Sequence, residues 1–280
     1  MKNIQGKVAL VTGAAQGAGF ATARALAAEG VKVALVDLDA TAVKSAAAEI
    51  GGSAIGLAVD VTDHHAYLEA LDETERVLGP LDILVNNAGI MPIGPFDQET
   101  DATAARVVEI NFHAMLFGSK QALRRFKAHG INGHIINVAS GAGWIPGAGG
   151  VSYGGSKAAV VAFSEALNWE LHGTGIEVSV VAPAVIKTRL GDGLADVKGL
   201  RKVTPDDVAG GIVKCLKKPR FVVWVPFEMG ILSVFMCGLP YRARAAIARL
   251  TNADKLLLTA DSTARSNYEQ SIAGVGGDVK

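Results

Sequence analysis

The sequence predicts an α/β fold: a single-domain, doubly wound parallel β-sheet of about seven strands, with helices on both faces and a helical extension at the C-terminus. Three observations predict it. Short apolar runs of strand length alternate with longer helical patterns from Lys7 to Val225, and that βαβαβα alternation implies one mostly parallel sheet with right-handed crossovers. The opening run is strand, glycine turn and helix in succession. Finally, Gly13, Asp37, Asp60, Asn87, Ser140 and Pro183 all fall at the carboxyl ends of apolar runs, outside which sheets of this kind bind ligands.

Lys7-Val-Ala-Leu-Val-Thr12, bounded by Gly6 and Gly13, reads as a buried strand. Gly13-Ala-Ala-Gln16-Gly17-Ala-Gly19 follows, then a helical pattern from Phe20 to Glu29 stopped by Gly30. This is the context of a dinucleotide phosphate site. Glycine permits dihedrals other residues avoid, lets the backbone approach a pyrophosphate, and leaves that charge at a helix N-terminus. The spacing is G-x-x-x-G-x-G rather than G-x-G-x-x-G, and a tight turn alone would also produce it.

Val31 to Asp37 is the second strand, ending in an acid 18 residues beyond Gly19. A carboxylate there can accept from adenosine ribose hydroxyls and repel a 2′-phosphate. Gln16 in the loop and Leu38 after Asp37 offer no cation to such a phosphate, so NAD is expected over NADP. Asp37 could instead cap the next helix, but Asp39 is the better cap, which leaves Asp37 free.

Ala54 to Val61 reads as a third strand ending near Asp60, and Asp63 to Leu78 as a polar-faced helix. Leu81 to Asn86 is a fourth strand running into Asn87-Ala88-Gly89. The asparagines suit a turn, and the small residues leave room for a flat ring. Thr100 to Ala128 is a long helical pattern that contains Asn111. An asparagine there costs helix propensity and competes for backbone bonds; a solvated surface position is its plain alternative. Ile131 to Ala139 is the fifth strand. Ile176 to Pro183 is the sixth, leading into Ala184-Val-Ile186-Lys-Thr188. Arg189 to Val203 is glycine-rich without a clear period and reads as a loop or short helices. Thr204 and Pro205 occupy the cap and first position of a helix, and Phe221 to Val225 is the seventh strand.

The chain is organised around Ser140 to Lys157, a glycine-rich stretch between the fifth strand and an Ala/Val-rich helical pattern from Ala158 to Leu171. Tyr153 and Lys157 are four residues apart and share one face on a helix. A nearby ammonium favours phenolate, so the Tyr153 pKa is expected to fall. Ser140 at the strand end would then hydrogen-bond a substrate oxygen. An ordinary surface pair remains the plain alternative.

Composition narrows the classes. The chain has 280 residues, half of them hydrophobic, with 27 basic and 27 acidic residues. A sizeable core is affordable on that length, and zero net charge argues against nucleic acid as the main partner. Cys215 and Cys237 have no metal-ligand spacing and read as reduced packing residues. The six histidines form no metal motif, so no metal is expected. The N-terminal Met1-Lys-Asn-Ile-Gln-Gly-Lys7 has no apolar signal region, and the expected location is the cytoplasm.

Together, Thr12-Gly-Ala-Ala-Gln-Gly-Ala-Gly19, Asp60-Val61, Asn86-Asn-Ala-Gly89, Asn111, Ser140, Tyr153-x-x-x-Lys157 and Pro183 to Thr188 resemble the single-domain short-chain dehydrogenase/reductase family. The resemblance runs from about residue 4 to about residue 226. It implies a Rossmann fold and these roles. Tyr153 is the general acid/base. Lys157 lowers its pKa and holds the nicotinamide ribose. Ser140 orients the carbonyl or hydroxyl, and Asn111 holds a water linking Lys157 to solvent. Gly13, Gln16, Gly17, Gly19, Asp37 and Leu38 lie at the cofactor's phosphates and adenosine. Asp60 and Val61 flank the adenine, and Asn87, Ala88 and Gly89 line the cofactor's path. Pro183, Ile186 and Thr188 meet the carboxamide. Ala184 departs from the glycine usual in relatives.

The expected reaction is NAD(H)-dependent interconversion of a secondary alcohol and a ketone on an apolar small molecule, from Ile90, Met91, Ile93, Phe96, Trp144 and Ile145. The alternatives are an NADPH-linked 3-oxoacyl thioester reductase and, in another class, a non-catalytic NAD-binding sensor or scaffold. Residues 1–227 are expected to form the dinucleotide-binding and catalytic domain, and 228–280 an extension packed on it. Met229 to Leu239 is apolar and uncharged, followed by Arg242, Arg244 and Arg249. This region reads as a lid over the substrate pocket, a subunit interface or a membrane-surface helix, with the lid preferred. The tail from Gly274 to Lys280 reads as frayed, and a homodimer or homotetramer is expected.

Overall fold

A computed structural model describes residues 3–194 and 201–273; the expected frayed tail and the centre of the Arg189–Val203 stretch lie outside the described residues. Among the described residues the chain builds one seven-stranded sheet in the order β3-β2-β1-β4-β5-β6-β7. The strands are β1 (Val8–Thr12), β2 (Lys32–Asp37), β3 (Ala54–Ala58), β4 (Ile83–Asn86), β5 (His134–Val138), β6 (Glu177–Pro183) and β7 (Val222–Val225). Every pairing is parallel. The order reverses between β1 and β4, which opens a crevice at their carboxyl ends.

Alternation along β1 shows how the core is divided. Ala9 and Val11 face one cluster, with Leu26 and Val43, Val208 and Ile212. Val8 and Leu10 face the other, with Tyr67, Leu71 and Phe126. Successive strand side chains point to opposite faces, so one apolar strand seals both layers. The first layer is α1 (Gly17–Ala28), α2 (Ala40–Ile50) and α7 (Pro205–Lys217); the second is α3 (His64–Leu78), α4 (Asp101–Val108), α5 (Ala114–His129) and α6 (Val151–Glu170). Asp39 and Asp63 cap α2 and α3 by accepting from backbone amides of the first turn. Thr204 and Asp207 form a capping box at α7, with Pro205 in the first turn.

Several elements differ from the sequence expectation. β3 stops at Ala58, so Asp60 sits beyond the strand, where Thr62 and Arg106 hold its carboxylate. α1 starts at Gly17 and α6 at Val151: packing against the sheet carries both helices into glycine-rich sequence despite its low propensity. The long helix is not continuous. A π-helical segment, Glu109–His113, separates α4 from α5; such insertions are rare and cluster at functional sites. Asn86 does not stabilise a turn. It donates to Ser119 Oγ and Asn137 Oδ1 in a buried network under the β4–β5 pair. Cys215 is buried as expected, but Cys237 is exposed, on the outer side of a helix that buries only one face. Within Arg189–Val203, Arg189–Gly191 is a single 3₁₀ turn and Val203 bridges Ile186.

The extension is three helices, α8 (Phe227–Gly238), α9 (Tyr241–Leu250) and α10 (Ser262–Ala273). No described helix is long and apolar enough to cross a membrane.

Candidate active site

The turn after β1 is shaped by close approach. Gly17 has φ +61, in the left-handed region that favours glycine, and lies against the Thr188 methyl. A Cβ at Gly19 would stand 2.0 Å from the Gly13 carbonyl oxygen. Gly13 in turn abuts Ala88, and the Asn87 amide donates to the Thr12 and Gly13 carbonyls at 2.9 and 3.1 Å. The glycine loop is thereby stapled to the turn after β4. Gln16 precedes α1 without any side-chain cap bond, and the first turn of α1 has no acid. Its amides remain available to an anion, which fits a dinucleotide pyrophosphate.

Asp37 ends β2 beside this loop, with half-exposed Leu38 after it. Asp37 is not free, as the sequence suggested. Its carboxylate accepts from the Ala15 amide at 2.9 Å and, more weakly, from the Asp39 amide at 3.4 Å. The carboxylate therefore both fixes the glycine loop and keeps its charge at the crevice. Val61 is buried. Burial works to raise the Asp60 pKa, but bonds from Arg106 and Thr62 outweigh it and hold the carboxyl below its ordinary value. Arg106 is a site residue that the sequence did not single out.

Ser140 lies just past β5 and accepts from the Ala142 amide at 3.2 Å. Tyr153 is 7 % exposed and Lys157 5 % exposed, both on α6. The Ser140 hydroxyl lies near enough to the Tyr153 phenol to oppose the rise of its pKa, and Lys157 Nζ lies 5.9 Å from the Tyr153 ring centre. Lys157 Nζ also donates to the Val138 carbonyl at 2.9 Å. Burial pushes Lys157 down to about 8. Burial also raises Tyr153 above its ordinary value, with the Ser140 bond opposing. The expected fall of the phenol pKa is thus absent in the protein chain, because desolvation of the phenolate is the largest effect and outweighs the opposing Ser140 hydroxyl.

Asn111 sits in the π-helical segment. Its Oδ1 accepts from the Ile90 amide at 2.8 Å, and its Nδ2 donates to the Ile90 carbonyl and to Ser156 Oγ. Ser156 Oγ donates onward to the Tyr153 carbonyl. A Cβ on Gly89 would lie 3.1 Å from Asn111 Oδ1 and 3.4 Å from Lys157 Nζ. Asn111 is therefore buried and locks the β4 turn against the Tyr153 helix; it is not a surface asparagine. Across the crevice, Pro183 ends β6, the Ala184 amide donates to Val225, and Thr188 follows Ile186 above Gly17. The glycine loop thus touches the turn after β4 at Ala88 and Asn87 and the Thr188 methyl beyond β6, while Gly89 lies against Asn111 and Lys157.

The C-terminal helix adds two residues that sequence reasoning missed. Arg265 is 1 % exposed. It donates to the Met91 carbonyl at 2.8 Å, to the Leu190 and Asp192 carbonyls at 2.9 and 3.1 Å, and pairs with Glu269. Tyr268 Oη accepts from the Met91 amide at 2.7 Å, and burial raises its pKa well above the ordinary phenol value. The signal was only an Arg and a Tyr three apart on one helical face; nothing local marks that face as buried. Around them Met91, Tyr153 and Leu194 cluster with Ile93, Val185, Leu190, Leu257 and Ala260. Of the apolar residues expected at the substrate, Met91 and Ile93 are here. Trp144 instead joins a separate cluster and contacts Trp224, and Phe96 is exposed.

A glycine turn at the N-terminus of α1 and a buried Tyr153–Lys157 pair, with Ser140 partly exposed just past β5, suit a nucleotide-dependent oxidoreductase. The short chain dehydrogenase family model matches residues 7–198. Galactitol 2-dehydrogenase of Agrobacterium fabrum is 39 % identical over 242 residues, 84 % of this chain and 91 % of that protein. Sorbitol dehydrogenase of Cereibacter sphaeroides is 37 % identical over 191 residues, 68 % of this chain and 75 % of that protein. C alpha-dehydrogenase of a Sphingobium species is 35 % identical over 196 residues, 69 % of this chain and 64 % of that protein. The crystal structure of 3-ketoacyl-(acyl-carrier-protein) reductase from Brucella melitensis complexed with NADH has a TM-score of 0.74 at 29 % identity, covering 80 % of this chain and 98 % of that one. The chain belongs to the short chain dehydrogenase family, NAD(P)-dependent oxidoreductases acting on CH–OH groups.

Proposed function

We propose that the protein is an NAD(H)-dependent dehydrogenase that interconverts a secondary alcohol and a ketone on a small, largely apolar molecule. What supports this most is the convergence of Ser140, Tyr153, Lys157 and Asn111 beside the glycine loop. When bound, the nicotinamide supplies the hydride acceptor or donor. Gly13, Gln16, Gly17 and Gly19 would hold the phosphates at the α1 N-terminus, Asp37 and Leu38 the adenosine ribose, and Asp60 and Val61 the adenine. Asn87, Ala88 and Gly89 line the path, and Pro183, Ile186 and Thr188 hold the carboxamide. In the oxidation direction Tyr153 Oη takes the alcohol proton as the carbon loses its hydride. Ser140 Oγ donates to the same substrate oxygen. Lys157 supplies the positive charge that would stabilise the phenolate. Asn111 holds the β4 turn that shapes this pocket and borders the lysine's route to solvent.

Asp37 favours NAD, because its fixed charge would face a 2′-phosphate. The 3-oxoacyl thioester reductase reading stays in view because the Brucella melitensis neighbour carries that title. An alcohol and ketone panel followed by nicotinamide absorbance, with both cofactors, separates the two. Turnover of secondary alcohols with NAD is expected; turnover only of acyl thioesters with NADPH would overturn the proposal, and NAD binding with no turnover at all would favour a sensor. We further propose that residues 1–227 form the catalytic unit with 228–280 packed on it, and that the protein works in the cytoplasm as a homodimer or homotetramer. Exposed Val151 and Trp169 on α6 support association, which light scattering would test.

A further inference from the structure

α10 and Leu257 to Ala260 account for one part of the extension, against the site. α8 keeps one face without a partner, and α9 buries none of its residues. α8 turns Met229, Gly230, Ser233 and Met236 inward. Gly230 packs on Trp224 of β7 and Met229 on Gly141 beside Ser140, so the helix is held firmly to the body. Its outer face is also apolar: Ile231 is 60 % exposed, Val234 72 % and Phe235 57 %, with Phe227 and Leu232 beside them. A helix that is hydrophobic all round belongs in a core or at a membrane. An outer face of this kind is a site of contact.

α9 follows after Leu239 and Pro240. It has ten residues and buries none of them, and a helix that short is marginal in water without a packing partner. It carries Arg242, Arg244 and Arg249, none with an ion-pair partner among the described residues. Glu228 in the first turn of α8 is the one carboxylate of the two helices; no Asp or Glu occurs from Met229 to Ala253. Apolar side chains next to unanswered arginines match the acyl and phosphate layers of an anionic lipid surface. A second copy packed on the same face would bring the same cations together with no carboxylate from this stretch to answer them.

We propose that α8 and α9 dock the protein on an anionic lipid surface. Ile231, Val234 and Phe235 enter the headgroup boundary, and the α9 arginines meet lipid phosphates. The helices lie on the bilayer; α8, with 12 residues, is too short to cross it. Because α8 is anchored beside Ser140 and Trp224, docking would bring the bilayer close to the site. This docking is separate from the reaction proposed above and is read without substrate.

The test is flotation of the full chain with vesicles of phosphatidylcholine alone or mixed with phosphatidylglycerol, at low and high salt. About tenfold more protein should float with the anionic vesicles, and salt should weaken the binding. Ile231→Ser with Phe235→Ser, and separately Arg242→Glu with Arg249→Glu, should each abolish that excess while melting temperature and NAD binding hold. Failure of the native protein to float, or equal flotation with both vesicles, overturns the proposal. An oligomer in solution that Ile231→Ser with Phe235→Ser dissociates also overturns it, and assigns the face to a second copy.

Discussion

Arg265→Met tests whether α10 is a working part of the site. The guanidinium bonds three carbonyls, at Met91, Leu190 and Asp192, and pairs with Glu269. Methionine keeps much of the apolar stem and removes all four contacts. Hydrogen bonds from a charged donor contribute roughly 1.5–3 kcal/mol each. Water reaches the freed carbonyls once the helix lifts, which caps the loss at about 3–5 kcal/mol, typical of a broken buried pair. That energy governs opening of α10 and the loops it ties, since the helix lies outside the sheet. Amide exchange by mass spectrometry should therefore accelerate by roughly two to three and a half decades in peptides covering Ile90–Ile93 and Leu190–Leu194, at ~1.4 kcal/mol per decade. Peptides from β1 and β5 should be unchanged, and KM for substrate should rise while NAD affinity holds. Unchanged exchange at Met91, whose amide is held by Tyr268, would refute the clasp. Uniformly faster exchange across the sheet would show that Arg265 stabilises the whole fold instead.

Tyr153→Phe should lower kcat by about 10²–10⁴-fold, the usual range for a lost general acid/base, with NAD affinity nearly unchanged by calorimetry; lost affinity instead would mean the tyrosine role is misassigned. Asp37→Ala should narrow the NAD over NADP preference, since it removes a repulsive charge. It should also weaken binding of both cofactors, since the Ala15 amide loses its acceptor; an unchanged kcat/KM ratio would end the cofactor argument. Asn111→Ala strands the Ile90 amide and carbonyl and should cost about 1–3 kcal/mol in urea unfolding. His134 sets an acid limit. Burial pushes its pKa down from 6.5 to about 3, so between those values the unfolded chain binds a proton the folded chain refuses. Stability is full above about pH 6.5 and falls as pH drops, by about 1.4 kcal/mol per unit from this group. Urea midpoints across that window check it, and His134→Gln should flatten the slope.

Much of the site was legible along the chain because its parts are short and local. Gly13 to Gly19 must turn tightly, Asp37 must end a strand, and Tyr153 and Lys157 must share a helix face, whatever lies around them. Even the asparagine that seemed misplaced in a helix marked a real irregularity. What local reasoning mishandled was anything set by burial or by a distant partner. The direction of the Tyr153 pKa shift came out opposite, since a spacing of four says nothing about how dry the pair will be. Asp37 seemed free because its acceptor role is filled by an amide 22 residues back.

The alternation of apolar runs and helical patterns dictates the layered α/β architecture, since each period can bury its apolar side in only one way. The order of the motifs along the chain likewise dictates that they meet at one edge of the sheet. The division of the C-terminal extension is a tertiary outcome. Arg265 and Tyr268 find Met91 at separations of 174 and 177 residues, and only the assembled sheet brings those backbone groups within reach. α8 turns one apolar face inward and leaves the other bare, because β7 and the loop after β5 can cover a single side of it. A uniformly apolar sequence cannot choose between those sides; the surface it lands on does.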